Sequence, residues 1–271
     1  MNKKWVILIA AVLLIGLAVI IFKFKGMGSL GINTRVSGSA GAALAQARDL
    51  ENKGELLAAK EAYQKLVNEF AGSPEMANWQ KKIEELNVKL LFSPVIVPNK
   101  SIAYKIRPGD SLAKIAREKN TTVELIKKSN GLSDDKIYPG KELKIWTAPF
   151  NILVDKSQNI LMLKDNEEVF KTYTVATGTN NCTPVGTFKI IEKIPNPTWF
   201  SDGKAIPPES PDNVLGTRWL GFNIAGYGIH GTTEPQTLGS QVTQGCVRMA
   251  NPEVEELYLI VPKGTEVTIV D

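Results

Sequence analysis

Histidine is nearly absent from this chain: of 271 residues, only His230 carries an imidazole. Cysteine is almost as scarce, with Cys182 and Cys246 alone. One imidazole excludes a multi-histidine metal site, and two thiols exclude a disulfide framework or a zinc finger. Charge of one sign is also missing. Lys and Arg number 32 against 28 Asp and Glu, a surplus too small for the dense basic patch of a nucleic-acid binder. What is present is ordinary for a folded protein, with 43% hydrophobic and 22% charged residues, so wholesale disorder, collagen and coiled coil are excluded. The length suits one large domain or two to three small ones.

One long apolar run stands out. Trp5 to Phe22 holds no charge and a single glycine, about the shortest stretch that spans a hydrocarbon core of about 30 Å. Lys3 and Lys4 precede it, and Lys23 and Lys25 follow. It is longer than a signal-peptide core and lacks a small-x-small cleavage site. Residues 1–25 therefore read as a cytoplasmic stub and an uncleaved transmembrane signal anchor. No cysteine follows, which excludes a lipoprotein anchor. The flanking lysines are too balanced to set the orientation.

Residues 26–40, rich in Gly and Ser, read as a flexible tether. Residues 41–92 turn to Ala, Leu, Lys and Glu at helical spacing. Ala43, Leu44, Ala47 and Leu50 share one face, and Gly54 breaks the pattern. Leu57, Ala58, Ala62, Tyr63, Leu66 and Phe70 line the next helix, which ends before Pro74. The pair resembles one tetratricopeptide unit. A third helix, capped by Ser73, fits Pro74 to Leu91. A helical spacer is favoured over a peptide receptor, because one unit cannot build a solenoid. Ser93 to Asn99, with two prolines, reads as an extended linker.

Residues 101–147 form a compact pattern of strand, helix, helix, strand. Tyr104 and Ile106 alternate, Pro108-Gly109-Asp110 turns, and Asp110 or Ser111 caps a helix with Leu112, Ile115 and Ala116. Thr121 or Thr122 caps a second helix that Asn130-Gly131 closes. Tyr138-Pro139-Gly140 turns into the strand Glu142 to Trp146. This segment resembles a LysM domain over its whole length. The resemblance implies binding of N-acetylglucosamine-containing glycans, peptidoglycan above all, near Gly109, Asp110, Ser111 and Leu112 and near Asp134 to Tyr138. The alternative is that these are turn and cap residues only. A wall-binding module is useful only outside the cytoplasm. The expected orientation is thus a single pass through the cytoplasmic membrane, with everything after it on the outer side.

Residues 150–271 become strand-like. Short apolar runs are divided by turn signals at Lys156 to Asn159 and Lys164 to Asn166. One late helix fits after Asn251, with Asn251 as cap and Pro252 in the first turn. A last strand covers Glu266 to Val270. Within this mainly β region, Ile229-His230-Gly231 precedes Thr243-Gln244-Gly245-Cys246-Val247-Arg248. A thiol is mostly protonated at neutral pH, and an adjacent imidazole can take its proton. The N–H groups of Gly245 and Cys246 can face a developing oxyanion. A lone His and a lone Cys do not by themselves distinguish this from a buried structural pair.

Residues from about Phe150 onward resemble the catalytic domain of L,D-transpeptidases, the YkuD family. The matching blocks include Thr177-Gly178, Thr183 to Phe188, Trp219, Ile229 to Thr232 and Gly245 to Met249. Gln244 departs from the family, which often has His there. The resemblance implies that Cys246 is the nucleophile, His230 the proton donor and acceptor, and the Gly231 carbonyl its orienter. It implies that Arg248 contacts a substrate carboxylate or holds the loop, and that Thr243 shapes it. The implied reaction releases D-Ala from a tetrapeptide stem through a Cys thioester and forms a 3→3 cross-link, with no metal and no organic cofactor. Water as acceptor would make an L,D-carboxypeptidase, and a protein lysine would attach a protein to the wall. A non-catalytic LysM scaffold is the other alternative. A papain-type peptidase is disfavoured, because its His would follow its Cys. Cys182 reads as a free thiol rather than a partner of Cys246.

Overall fold

The computed structural model describes residues 33–271 apart from Asp202, with side chains from Ala40 onward. The apolar run Trp5 to Phe22 and the first half of the expected tether lie outside the described residues. Among the described residues no helix is long and apolar enough to cross a membrane. The tether expectation needs correction where it is visible. Helix α1 spans Asn33–Asn52, so residues 33–40 are helical. Extending an existing helix adds one hydrogen bond per residue fixed, whereas nucleation is the costly step.

Leu44–Asp271 forms one compact unit. Its first part is a helical hairpin, α2 (Leu56–Glu69) and α3 (Met76–Leu91). Ala59, Tyr63 and Leu66 face Ile83, Leu86 and Leu90 across it, all buried. Glu51 ties α1 to both helices, accepting from Tyr63 Oη at 3.3 Å and pairing with Lys89 Nζ at 2.9 Å.

The hairpin is a docked part of the molecule and not a detached spacer. Leu90 and Leu91 share a core with Trp146, Ile152 and Phe170. Asn87 Nδ2 donates to Phe170 O at 2.8 Å. The segment read as an extended linker also packs inward, because Val97 is buried and its N–H is held by Ser101 Oγ at 2.8 Å.

The segment that resembles a LysM domain pairs β1 (Ser101–Lys105) antiparallel with β2 (Glu142–Trp146) and covers one face with α4 (Leu112–Glu118) and α5 (Val123–Asn130). Ser111 caps α4 by accepting from Lys114 N, and Thr122 caps α5 by accepting from Leu125 N. Gly131 ends α5 in the left-handed region, φ 63°, which a residue without Cβ adopts freely. Adjacent residues of α5 serve different cores. Ile126 packs inside the LysM domain, and Leu125 packs into the larger shared core.

Residues 150–271 are mainly β. Their eight-stranded sheet runs β13-β11-β10-β7-β14-β3-β4-β5. The strands are β3 (Phe150–Asp155), β4 (Ile160–Asp165), β5 (Glu168–Thr174), β7 (Gly186–Pro195), β10 (Arg218–Phe222), β11 (Gly228–His230), β13 (Val247–Arg248) and β14 (Glu266–Val270). The β3–β4 and β4–β5 hairpins turn at the two predicted loops. Two short pairs lie outside the sheet. They are β6 (Thr177–Gly178) with β12 (Gln241–Thr243), and β8 (Trp199–Ser201) with β9 (Lys204–Ile206).

Helix α6 (Asn251–Ile260) packs Val254, Leu257 and Ile260 into the sheet's apolar core. Each such buried side chain contributes about 1.5–3 kcal/mol. Its cap differs from expectation. Ala250 occupies the cap position without a side-chain bond, and Asn251 is the first helical residue. The carboxamide of Asn251 is committed elsewhere, as described next.

Candidate active site

Strand alternation builds the site. In the parallel pair β11–β13, Ile229 faces Val247 and His230 faces Arg248. Successive side chains point to opposite faces. Ile229 and Val247 go into the core, fully buried. His230 and Arg248 therefore share the other face. The same alternation carried one residue back from Val247 sets Cys246 there too. All three line one cavity of about 750 Å³, with Trp219, Tyr227 and Gln244 in its wall.

Among the described residues both cysteines are free thiols. Cys182 is exposed, with its Sγ 4.0 Å from Thr243 O. Its loop backs the nucleophile's loop through Gly178. A Cβ on Gly178 would meet Cys182 Sγ at 2.5 Å and Gly245 Cα at 3.0 Å, so only glycine fits there.

His230 is 3% exposed. Its Nδ1 lies 2.6 Å from Gly231 O. A carbonyl only accepts, so Nδ1 carries the proton and Nε2 keeps its lone pair. Burial pulls the His230 pKa down to about 4, opposed by the Gly231 carbonyl and helped by the charge of Arg248. Burial also raises the Cys246 thiol above its ordinary value, more than the Gly228 backbone and Arg248 lower it. Both shifts favour the same resting state, a neutral imidazole beside a protonated thiol. The Cys246 thiol donates to Gly226 O at 3.5 Å.

The oxyanion expectation changes at one atom. Gly245 N–H already donates to Thr243 Oγ1 at 3.2 Å, and Thr243 Oγ1 donates to Cys246 O at 2.7 Å. This closes the loop on itself and leaves Cys246 N–H as the open donor. Gly245 sits at φ 121°, and a Cβ there would lie 2.6 Å from the Tyr227 ring. Thr243 is buried at the edge of the cavity, with its hydroxyl turned into its own loop.

Arg248 holds the loop in this structure, one of the two roles expected for it. Its guanidinium donates to Glu234 Oε2 at 2.8 Å and Thr237 Oγ1 at 3.0 Å, which ties down the loop between the two catalytic strands. Among the LysM residues, Leu112 is buried in the domain core. Asp110 is used internally, accepting from Tyr104 Oη, Arg107 N and Lys114 Nζ. Ser111 is the cap, and Gly109 makes the turn at φ 81°. Beside them lies an open concavity of about 580 Å³ along β1 and Pro139-Gly140.

Two features escape sequence reading. Asn251 Oδ1 accepts from Thr217 N at 3.2 Å and Thr232 N at 3.0 Å, clamping the turn that carries Gly231. The Trp219 ring stacks on His230 with centroids 6.1 Å apart, and its Nε1–H donates to Glu192 Oε2 at 3.1 Å. The only sequence signal for Asn251 was its place at the start of a helix, which pointed to a cap.

Comparison with known proteins identifies two families in the chain. The family model of the YkuD L,D-transpeptidase catalytic domain matches residues 149–269, and that of the LysM domain matches 104–146. A Bacillus licheniformis protein named for L,D-transpeptidase activity, YkuD, is 34% identical over 176 residues, 62% of this chain and 98% of its own. A Bacillus subtilis protein named in the same way, YqjB, is 40% identical over 141 residues, 50% of this chain and 78% of its own. Among solved structures, an L,D-transpeptidase from Mycobacterium smegmatis is 19% identical with a TM-score of 0.40, covering 49% of this chain and 64% of that one. With one relative matched over nearly its whole length, this chain belongs to the YkuD family of L,D-transpeptidases, enzymes joined here to a LysM domain that directs them to peptidoglycan.

Proposed function

We propose that the enzyme cross-links peptidoglycan stems through a thioester on Cys246. On attack, the thiol proton passes to His230 Nε2 as Sγ bonds the carbonyl before the terminal D-Ala. Cys246 N–H receives the developing oxyanion. The imidazolium then protonates the departing amine, the C–N bond breaks and D-Ala leaves. A second stem's amine attacks the thioester, which releases Cys246 and joins two diamino acids in a 3→3 link. The observation that carries this reading is His230 and Cys246 in one cavity, the imidazole oriented by Gly231 O at 2.6 Å and so presenting an unprotonated Nε2.

The open concavity along β1 and Pro139-Gly140, next to the Gly109 turn, holds the glycan, and Trp5 to Phe22 anchors the chain in the cytoplasmic membrane with both domains outside. Leu44 to Leu91 supports the catalytic sheet rather than receiving a peptide, a reading supported by its buried contacts with Phe170 and Trp146.

The test is incubation of the full-length chain, in mild detergent, with a disaccharide tetrapeptide, followed by mass spectrometry. The expected products are free D-Ala and a dimer joined through two diamino acids, with a covalent adduct on the protein. Cys246→Ala removes adduct and products together, and Cys182→Ala keeps them. An adduct that survives Cys246→Ala rejects the mechanism. D-Ala with no dimer at any stem concentration makes the enzyme a carboxypeptidase.

A further inference from the structure

The cavity that holds His230 and Cys246 has one carboxylate in its wall among the described residues, Glu192 on β7. Arg248, the cation in the same wall among the described residues, is paired with Glu234. Glu192 is solvent-exposed. Its Oε2 accepts from Trp219 Nε1–H, while its Oε1 has no protein partner among the described residues. Trp219 in turn stacks on the imidazole at an interplanar angle of 23°. Carboxylate, indole and imidazole thus stand in a row, with the indole between the carboxylate and the base. Gly221 opposite Glu192 holds the carboxylate close: a Cβ there would come 3.2 Å from Glu192 Oε2.

We propose that Glu192 binds the ammonium of the acceptor and so selects a cationic amine over water at the thioester. The inference rests on the acyl-enzyme reading above and adds the acceptor's charge class. An amine nucleophile is an ammonium at neutral pH and must lose one proton before it can attack. A carboxylate beside the base gathers the cation where the proton can leave. One proton goes to solvent, and the neutral amine then attacks the thioester carbonyl. The new C–N bond forms as the C–S bond breaks. The amine's second proton passes through His230 Nε2 to the Cys246 thiolate, restoring the neutral pair.

Glu192→Gln tests this, because the amide oxygen still accepts from Trp219 while the charge is gone. The full-length chain is given the tetrapeptide donor and a tripeptide-stem acceptor bearing a free side-chain amine. The readout is the ratio of dimer to hydrolysed stem, which does not depend on how fast acyl-enzyme forms. That ratio is expected to fall about two- to fivefold in Glu192→Gln, the scale of one exposed ion pair. It falls further in Glu192→Lys. Added salt should lower the wild-type ratio and leave that of Glu192→Gln nearly flat. An unchanged ratio in Glu192→Gln, or a wild type that only hydrolyses at every amine concentration, overturns the proposal. Failure of the underlying reading looks different: no D-Ala release by the wild type, or release that persists in Cys246→Ala.

Discussion

Burial decides the protonation of His230. Its pKa of about 4 lies below the roughly 6.5 of an unfolded histidine. The imidazole is therefore already a base at pH 5, and D-Ala release should keep its rate down to that pH and fall only through about pH 4. A pH–rate profile with its acid limb near 6.5 would reject this state. The stability consequence has a definite sign. As pH drops from 6.5 toward 4 the unfolded chain takes up a proton that the folded chain refuses, so stability is lost across that window. Urea midpoints at pH 7 and 4.5 should drop more for wild type than for His230→Gln. Asn251 acts at the same scale. Its Oδ1 satisfies two backbone N–H groups, and Asn251→Ala leaves both without a partner, a cost of about 2–4 kcal/mol. Asn251→Asp keeps the acceptor and should recover most of the denaturation midpoint; equal loss in both variants would show that packing, not the clamp, matters.

At the scale of elements, the nucleophile's loop is held from three sides. Thr243 closes it internally, β12 pairs with β6, and the Tyr227 ring walls Gly245. Gly245→Ala puts a Cβ into that ring at a φ that L side chains rarely adopt, so the loop must shift. A displacement near 1 Å costs about 10²-fold in rate. The expected result is a kcat loss of at least that size with an unchanged circular dichroism spectrum. The end of α3 is held by a residue of another domain. Lys144 Nζ donates to the carbonyls of Leu90, Leu91 and Ser93. Burial lowers its pKa to about 8. Lys144→Met strands those carbonyls at a cost of about 2–3 kcal/mol. Hydrogen exchange should then quicken in residues 86–93 first, and an unchanged exchange pattern would count against the cap.

Over the whole molecule, the helical hairpin, the LysM domain and the catalytic sheet share one core. Trp146, the last residue of β2, stacks on Phe150 at 5.8 Å and meets Phe170 edge-on at 6.0 Å. Thr122 of the LysM domain donates to Leu259 O of α6. Lys100, just before β1, pairs with the buried Asp165 at 3.0 Å. These contacts predict a single cooperative unfolding transition for residues 44–271 in calorimetry. A fragment of residues 149–271 should melt well below the full chain, because it exposes the face that Leu90, Leu91 and Trp146 cover. Separate transitions for the three parts would show the contacts to be incidental.

What the sequence alone determined is local or singular. Ser111, Thr122 and Gly131 act within a few residues of themselves, so caps and turns were legible. The hairpins β3–β4 and β4–β5 were legible through alternation and turn residues, and the mainly β character followed. His230 and Cys246 stood out because almost nothing else in the chain can do their chemistry. The tertiary structure decided everything that depends on a distant partner. Asn251 looked like a cap and became a clamp, because Thr217 and Thr232 are brought to it from other strands. Leu125 and Ile126 are equivalent in sequence, and only domain docking sends them into different cores. The sequence left Arg248 open between a substrate carboxylate and its own loop, and only the fold brings Glu234 to its guanidinium. The neutral resting pair, too, follows from how much protein surrounds His230, a quantity that neighbours along the chain do not encode.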